Sequence, residues 1–240
     1  MANQITRRDF GARLSGLLAT GVAASSESQA FAAARRKLPV AAVVTEYRNN
    51  SHADVIVGKV LAGWRQDGQA GPDLRLVSMY TDQVPKGDLS RGLAEKHRFP
   101  IVKTIEQAIR QPGGDDRIEG VLSIGEHGNY PYTKTTRQHM YPRRRFFDEI
   151  VAAMQKAGRI VPVFSDKHLG WKFSDALHMV NTARKLKIPF MAGSSLPTCW
   201  RHPVLTLERG VEIEEAMAVG YGGLESYGFH ALETLQGMIE

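Results

Sequence analysis

Five short apolar runs, alternating with stretches of helical periodicity, set the strongest limit on what this 240-residue chain can fold into. They occupy residues 39–44, 74–80, 118–124, 160–164 and 188–192. The first, Pro-Val-Ala-Ala-Val-Val, is uninterrupted, as a strand covered on both faces must be. Between the runs lie helix signals. Ser51 can cap a helix, with Asp54 at its third position and Val55, Val57, Val60, Leu61 and Trp64 as apolar positions. Short helices are predicted at 90–97 and 103–110, around the break at Phe99-Pro100. A longer one, about 144–156, carries Phe147, Ile150, Val151 and Met154 on one face and ends at Gly158. A last one spans about 174–186. This alternation predicts an α/β domain with a parallel sheet, its first strand central and helices on both faces.

After Ser194 the texture changes. Residues 211–219 alternate apolar and charged side chains, which predicts a half-exposed strand of a different sheet. A glycine-rich stretch, 220–230, then leads into a helix running to the last residue. The expected division is residues 38–193 for the parallel-sheet domain and 194–240 for the beginning of an α+β domain. Such a beginning would leave Leu232, Leu235 and Met238 of the final helix exposed, a face that favours self-association into a homo-oligomer.

The N-terminal residues 1–34 have a different character. Arg7-Arg8-Asp9-Phe10, a mildly apolar run over 11–24 and small residues around Ala32 and Ala34 match a twin-arginine export signal with its cleavage site. The expected partner of that leader is the twin-arginine export machinery, and the expected destination is the bacterial periplasm. The run is too short and glycine-rich to span a membrane stably, and no later segment approaches the ~18 apolar residues a span needs.

A net charge of +6 leaves acidic partners open, but lysine and arginine are scattered, with no basic stripe interleaved with aromatics. Nucleic acid is not an expected partner. The densest cluster, Arg143-Arg144-Arg145, runs straight into Phe146-Phe147 and reads as a helix start. Cys199, the single cysteine, excludes an internal disulfide and a cysteine-cluster metal site.

Ligands of open α/β sheets bind at the carboxyl ends of the strands. Three segments expected there are rich in functional groups: Thr45 to His52, Glu126 to Tyr132, and Ser165 to His168. The first has no glycine, where a phosphate-cradling turn needs one for close backbone approach. Glu46 and Tyr47 would fill the phosphate space and Glu46 would repel a diphosphate, whereas Arg48 and free N–H groups near Ser51 could still hold an anion. Asp82, after the second strand, could bind a ribose or simply close a turn. Two rivals stay open. His52, Glu126, His127, Asp166, His168 and His230 could converge on zinc or manganese in a metal-dependent sugar-processing enzyme, though no pair sits at helical spacing. Alternatively, Tyr130, Tyr132, Tyr141 and Trp171 could stack on sugar rings in a non-catalytic binding protein.

Two motifs carry a family resemblance. Val161-Pro-Val-Phe-Ser-Asp-Lys-His168, followed by a helix and Ile188-Pro-Phe-Met, resembles the strand ending in Glu-Lys-Pro of the glucose–fructose oxidoreductase/inositol dehydrogenase (Gfo/Idh/MocA) family. Gly220-Tyr-Gly-Gly-Leu-Glu-Ser-Tyr-Gly-Phe-His230 resembles its Gly-Gly-Gly-x-Leu-x-Asp-x-Gly-x-His. The resemblance implies a Rossmann-like domain holding NAD or NADP, followed by a mixed-sheet domain holding a sugar-like substrate, in an NAD(P)-dependent oxidoreductase. It implies Lys167 and His230 as catalytic residues. Thr45, Glu46, Arg48, Asn49, Asp82, Glu126, His127, Asp166 and Lys167 would line the cofactor, and Tyr130, Ser226 and His230 the substrate. Ser226 stands at the family's acid and cannot share a proton as a carboxylate does, so a weakened activity is among the expectations.

Overall fold

The computed structural model describes residues 36–110 and 117–239, so the expected export leader lies outside the described residues. Six parallel strands form one sheet in the order β3-β2-β1-β4-β5-β6. They are β1 (Leu38–Val44), β2 (Leu74–Thr81), β3 (Ile101–Val102), β4 (Gly120–Ile124), β5 (Val163–Asp166) and β6 (Phe190–Gly193). Strand β1 is central, as its composition predicts. Val40 to Val44 pair with β2 on one side and with Gly120 to Ile124 of β4 on the other. Strand β3 has only two residues, too few to show a pattern in the sequence.

Helices cover both faces because successive side chains of β1 point to opposite sides. Val40, Ala42 and Val44 pack with Ala53 and Val57 of α1 (His52–Ala62) and with Leu76 and Met79. Ala41 and Val43 face the other layer, with α3 (Ile105–Arg110), α4 (Arg143–Lys156) and α5 (Phe173–Lys185). Phe146, Phe147, Ile150 and Met154 of α4 are its fully buried centre. Truncating Phe146 to alanine would cost about 3–5 kcal/mol, since the rigid surroundings cannot close the cavity. On the first face, α2 (Ser90–His97) contributes Leu93 and Ala94.

The Ser51 cap acts as expected at the start of α1, whereas Trp64, expected on its apolar face, lies beyond its end and is exposed. The Ser51 hydroxyl accepts from the Asp54 N–H at 3.2 Å, and the helix stops at Gly63, where φ is 90°. A Cβ at that position would come within 2.3 Å of the Gln69 carbonyl oxygen, so only glycine fits.

Two expectations need correction. Strand β5 begins at Val163 rather than residue 160 and runs on to Asp166. Pro162 has no N–H to give the ladder, but its carbonyl accepts from Val121 at 2.9 Å and starts the pairing. At the far end, Asp166 pairs with Gly193 and so belongs to the strand, not to a loop. The strand expected at 211–219 is absent: these residues have no regular secondary structure. An extended segment needs a neighbour to satisfy its backbone groups, and no described strand lies beside it.

The rest of this region contains a 3-10 turn (Leu196–Thr198), a turn of π-helix (Leu224–Gly228) and α6 (Phe229–Ile239). Leu232 of α6 is exposed, as expected of its apolar face. Leu235 and Met238 instead line a groove of about 1100 Å³ with residues of the 211–221 stretch. Among the described residues no helix is long and apolar enough to cross a membrane.

Candidate functional site

Strand β1 leads through α1 to β2 on one side of the sheet, while β4 leads through α4 to β5 on the other. The chain reverses direction between β1 and β4, and the crevice outside their carboxyl ends is where ligands of such sheets bind. All three functional-group-rich segments emerge at this edge.

At its centre is a buried cluster of charges. The Glu126 carboxylate accepts from the Lys167 ammonium at 3.0 Å with one oxygen and from the Arg143 guanidinium with the other. Arg143, whose side chain is only 1% exposed, also lies 3.1 Å from Nε2 of His168. Burial alone would push the Glu126 carboxyl up, but the charges of Arg143 and Lys167 outweigh it and hold Glu126 below the usual range. His168 moves the other way: burial, then the Arg143 charge, lowers it to about 4. Lys167 and His127 both have left-handed backbone, with φ of 64° and 70°. Such non-glycine conformations cost free energy and concentrate at functional edges.

A second layer sits towards solvent. His52, the first residue of α1, places Nδ1 2.6 Å from the Asp166 carboxylate. The His127 ring meets that of His52 edge-on, with centroids 5.0 Å apart. Arg48 donates to Glu46 at 2.6 Å and its Nη2 lies 3.3 Å from Nδ1 of His127. Burial, followed by the His52 charge, lowers the His127 pKa. Nε2 of His127, Nδ1 of His168 and Nε of Arg143 are buried without a hydrogen-bonding partner among the described residues.

Several expected site residues are otherwise engaged. Thr45 is fully buried and gives its hydroxyl to the Glu126 carbonyl at 2.5 Å, so it positions the loop rather than facing a ligand. Tyr47 turns into the hydrophobic core and is fully buried, which corrects the expectation that it fills the phosphate space. The apolar face of α1 and β2 is simply the better place for its ring. Asp82 accepts from Tyr80, Tyr130 and Arg145, each at 2.6 Å, so both of its oxygens already have partners. The Tyr130 hydroxyl is spent on that contact. Tyr132 stacks on His139 at 4.2 Å, and Tyr141 packs against the same imidazole, so these rings serve the loop's own packing. Asn49 is exposed beside Arg48.

His230 lies in the first turn of α6, its Nδ1 2.6 Å from the Ser194 hydroxyl. Burial, then the charges of Lys167 and His52, lowers its pKa, since it lies within electrostatic range of the strand-end cluster. Ser226 sits one turn earlier, where its N–H donates to the Gly223 carbonyl at 3.2 Å. Among the described residues no group of three or more His, Cys, Asp and Glu is placed to hold a metal ion, and Glu126 and Asp166 are engaged by Arg143, Lys167 and His52.

Arg143 was legible as a helix start but not as a site residue. A signal did exist: three arginines in the first turn of a helix oppose its dipole and need another reason to be there. Each has one, since Arg143 pairs with Glu126, Arg144 with Asp148 and Asp175, and Arg145 with Asp82 and Glu149.

No family model and no curated protein matches the chain. Solved structures with a similar course include GenD2 from gentamicin A biosynthesis in complex with NAD, at 16% identity and TM-score 0.42, covering 74% of this chain and 37% of that one. A Gfo/Idh/MocA family oxidoreductase from Vibrio cholerae is 19% identical, with TM-score 0.42 and coverage of 67% and 39%. The UDP-N-acetylglucosamine 3-dehydrogenase from Acidithiobacillus ferrooxidans is 8% identical, with TM-score 0.42 and coverage of 68% and 38%. Likenesses this weak carry no weight for function, and this chain spans well under half the length of each of these proteins.

Proposed function

We propose that the chain is an oxidoreductase of the Gfo/Idh/MocA kind, with NAD or NADP at the β1/β4 crevice and a sugar or related polyol beside Lys167 and His230. The observation that carries this reading is Lys167 itself. It is a buried lysine on strained backbone at the end of β5, with its ammonium tied to Glu126 at 3.0 Å at the switch point of the sheet.

The residues at the crevice fit a dinucleotide held by side chains rather than by a glycine cradle. The N–H groups of Arg48, Ser51 and Asp54 are taken within the turn. In their place stands the half-exposed Arg48 guanidinium. When bound, the nicotinamide would supply the acceptor or donor of a hydride. The chain's own contribution is positional and acid–base. Lys167 offers a fixed ammonium to a substrate oxygen, with Glu126 and Arg143 locking its place. His230, held by Ser194 and kept unprotonated near neutral pH, is suited to accept a proton.

A second reading, a non-catalytic sugar- or partner-binding protein on the same fold, draws support from the glycine-free turn, whose Glu46 carboxylate offsets the Arg48 charge. We also propose that residues 1–34 send the folded protein to the periplasm by the twin-arginine route, a route that suits a cofactor loaded beforehand. The deciding experiment is mass spectrometry of the intact protein from its own export pathway. A retained dinucleotide supports the oxidoreductase. If none is retained, and micromolar NAD(H) or NADP(H) leaves the melting temperature unchanged, the binding-protein reading replaces it.

A further inference from the structure

We infer that His52 is a second acid–base residue of this crevice, beside His230, and that Asp166 is its positioning residue, an assignment that deepens the proposed oxidoreductase reading and rests on it. Neither of the two sequence motifs contains His52. It follows from where α1 begins. Ser51 caps the helix and sets His52 as its first residue, at the carboxyl end of the central strand. Asp166 ends β5, on the far side of β4, so the 2.6 Å contact between them bridges the mouth of the crevice across one intervening strand.

The two side chains differ in the way a base and its orienting group differ. The Asp166 side chain is 11% exposed and that of His52 is 31% exposed. A carboxylate accepting from Nδ1 fixes the proton on that nitrogen and leaves the lone pair on Nε2, which has no hydrogen-bonding partner among the described residues. Acid, imidazole and open nitrogen together make an oriented general base.

The other charged groups around it are already occupied or unsuited. Lys167 and Arg143 are on Glu126, and Arg48 is on Glu46. The His127 ring, 5.0 Å away, has Nε2 buried and Nδ1 3.3 Å from the Arg48 guanidinium, so neither of its nitrogens is open to a substrate. In the step assigned here, a substrate hydroxyl gives its proton to His52 Nε2. The O–H bonding pair stays on oxygen, and the Asp166 carboxylate stabilises the resulting imidazolium.

The alternative is an ion pair that merely staples α1 to β5. Diethyl pyrocarbonate, which acylates an accessible neutral imidazole nitrogen, separates the two on the full chain, with the sites of reaction read by mass spectrometry. The expected result is that His52 reacts faster than His127 and His168, and that Asp166→Ala and the milder Asp166→Asn both slow it while the melting temperature stays close to that of the unmodified chain. An unreactive His52, or one whose rate ignores both substitutions, would overturn the assignment. In turnover of a polyol panel with NAD or NADP, His52→Gln should lower kcat about 100-fold or more with little change in KM. Full turnover in His52→Gln would also overturn it. Absence of turnover in the unmodified chain would count against the oxidoreductase reading alone, and the acylation rates would still decide the role of the dyad.

Discussion

Lys167 and Glu126 face each other across the ends of two adjacent strands, Nζ to Oε1 at 3.0 Å, with both side chains only 7% exposed. Arg143 completes the group from the start of α4. Two cations on one buried carboxylate leave the cluster with net positive charge, in a place where isolated charge is costly. This arrangement governs both the stability of the edge and what the edge can bind.

Removing Arg143 should therefore be far more damaging than its position at a helix start implies. Arg143→Ala leaves Glu126 with one partner and opens a cavity beside Gly125, and should cost about 3–5 kcal/mol. Arg143→Met with Glu126→Gln, which removes charge from both sides, should recover part of that loss. Urea unfolding of the three chains checks the order. Equal stability of Arg143→Ala and the unmodified chain would show that the pair contributes nothing.

Acid should destabilise the fold in two steps with opposite partners. His168 is lowered from 6.5 to about 4, so the unfolded chain binds its proton first and stability falls as pH drops through that window. Glu126 is also lowered, from an ordinary value of 4.5, so its contribution is complete above pH 4.5 and is lost as pH falls towards its folded value. His168→Gln should reduce the slope of the melting-temperature profile between pH 6.5 and 4, the remainder coming from His127, His230 and His97, and should leave the loss below 4.5 in place. A slope between pH 6.5 and 4 that is undiminished in the variant would place the titration elsewhere.

Affinity for a dinucleotide should be limited by Glu46. Its carboxylate takes the Arg48 guanidinium at 2.6 Å and adds a negative charge where phosphates would sit. Glu46→Gln should tighten NAD(P) binding several-fold in calorimetry, and Arg48→Ala should weaken it. The reverse order would mean that the crevice is not a phosphate site.

Most of the fold was legible in the sequence because buried parallel strands announce themselves. The run at 39–44, the Ser51 cap and the face of Phe147, Ile150, Val151 and Met154 all correspond to described elements. What sequence could not show was pairing. The alternation at 211–219 resembles a strand, but strand formation depends on a neighbour that the pattern itself does not supply. The site was legible as a set of loops and not as a set of contacts. Glu126 and Lys167 were expected near a cofactor, yet their mutual bond, the role of Arg143 and the turn of Tyr47 into the core arise from packing between segments far apart in the chain.

Export should depend on the arginine pair. With residues 1–36 fused to a reporter, Arg7→Lys together with Arg8→Lys should stop export through the twin-arginine route. Undiminished export of the double variant would remove the assignment.

The sharpest test of the proposed chemistry is Lys167→Met. Methionine keeps much of the buried stem and removes the ammonium, while Arg143 still neutralises Glu126. The residue must also keep its φ of 64°, a strain any non-glycine side chain shares, so the backbone cost stays nearly constant. Stability should then fall by about 1.5–3 kcal/mol, the scale of one charge-assisted hydrogen bond. If Lys167 positions a substrate oxygen, kcat should fall by a factor of about 100 or more while NAD(P) affinity, which the proposed reading assigns to Arg48 and the loop around it, should move little. A variant that loses nucleotide affinity and turnover in equal proportion would make Lys167 a scaffold for the crevice rather than a participant in its chemistry.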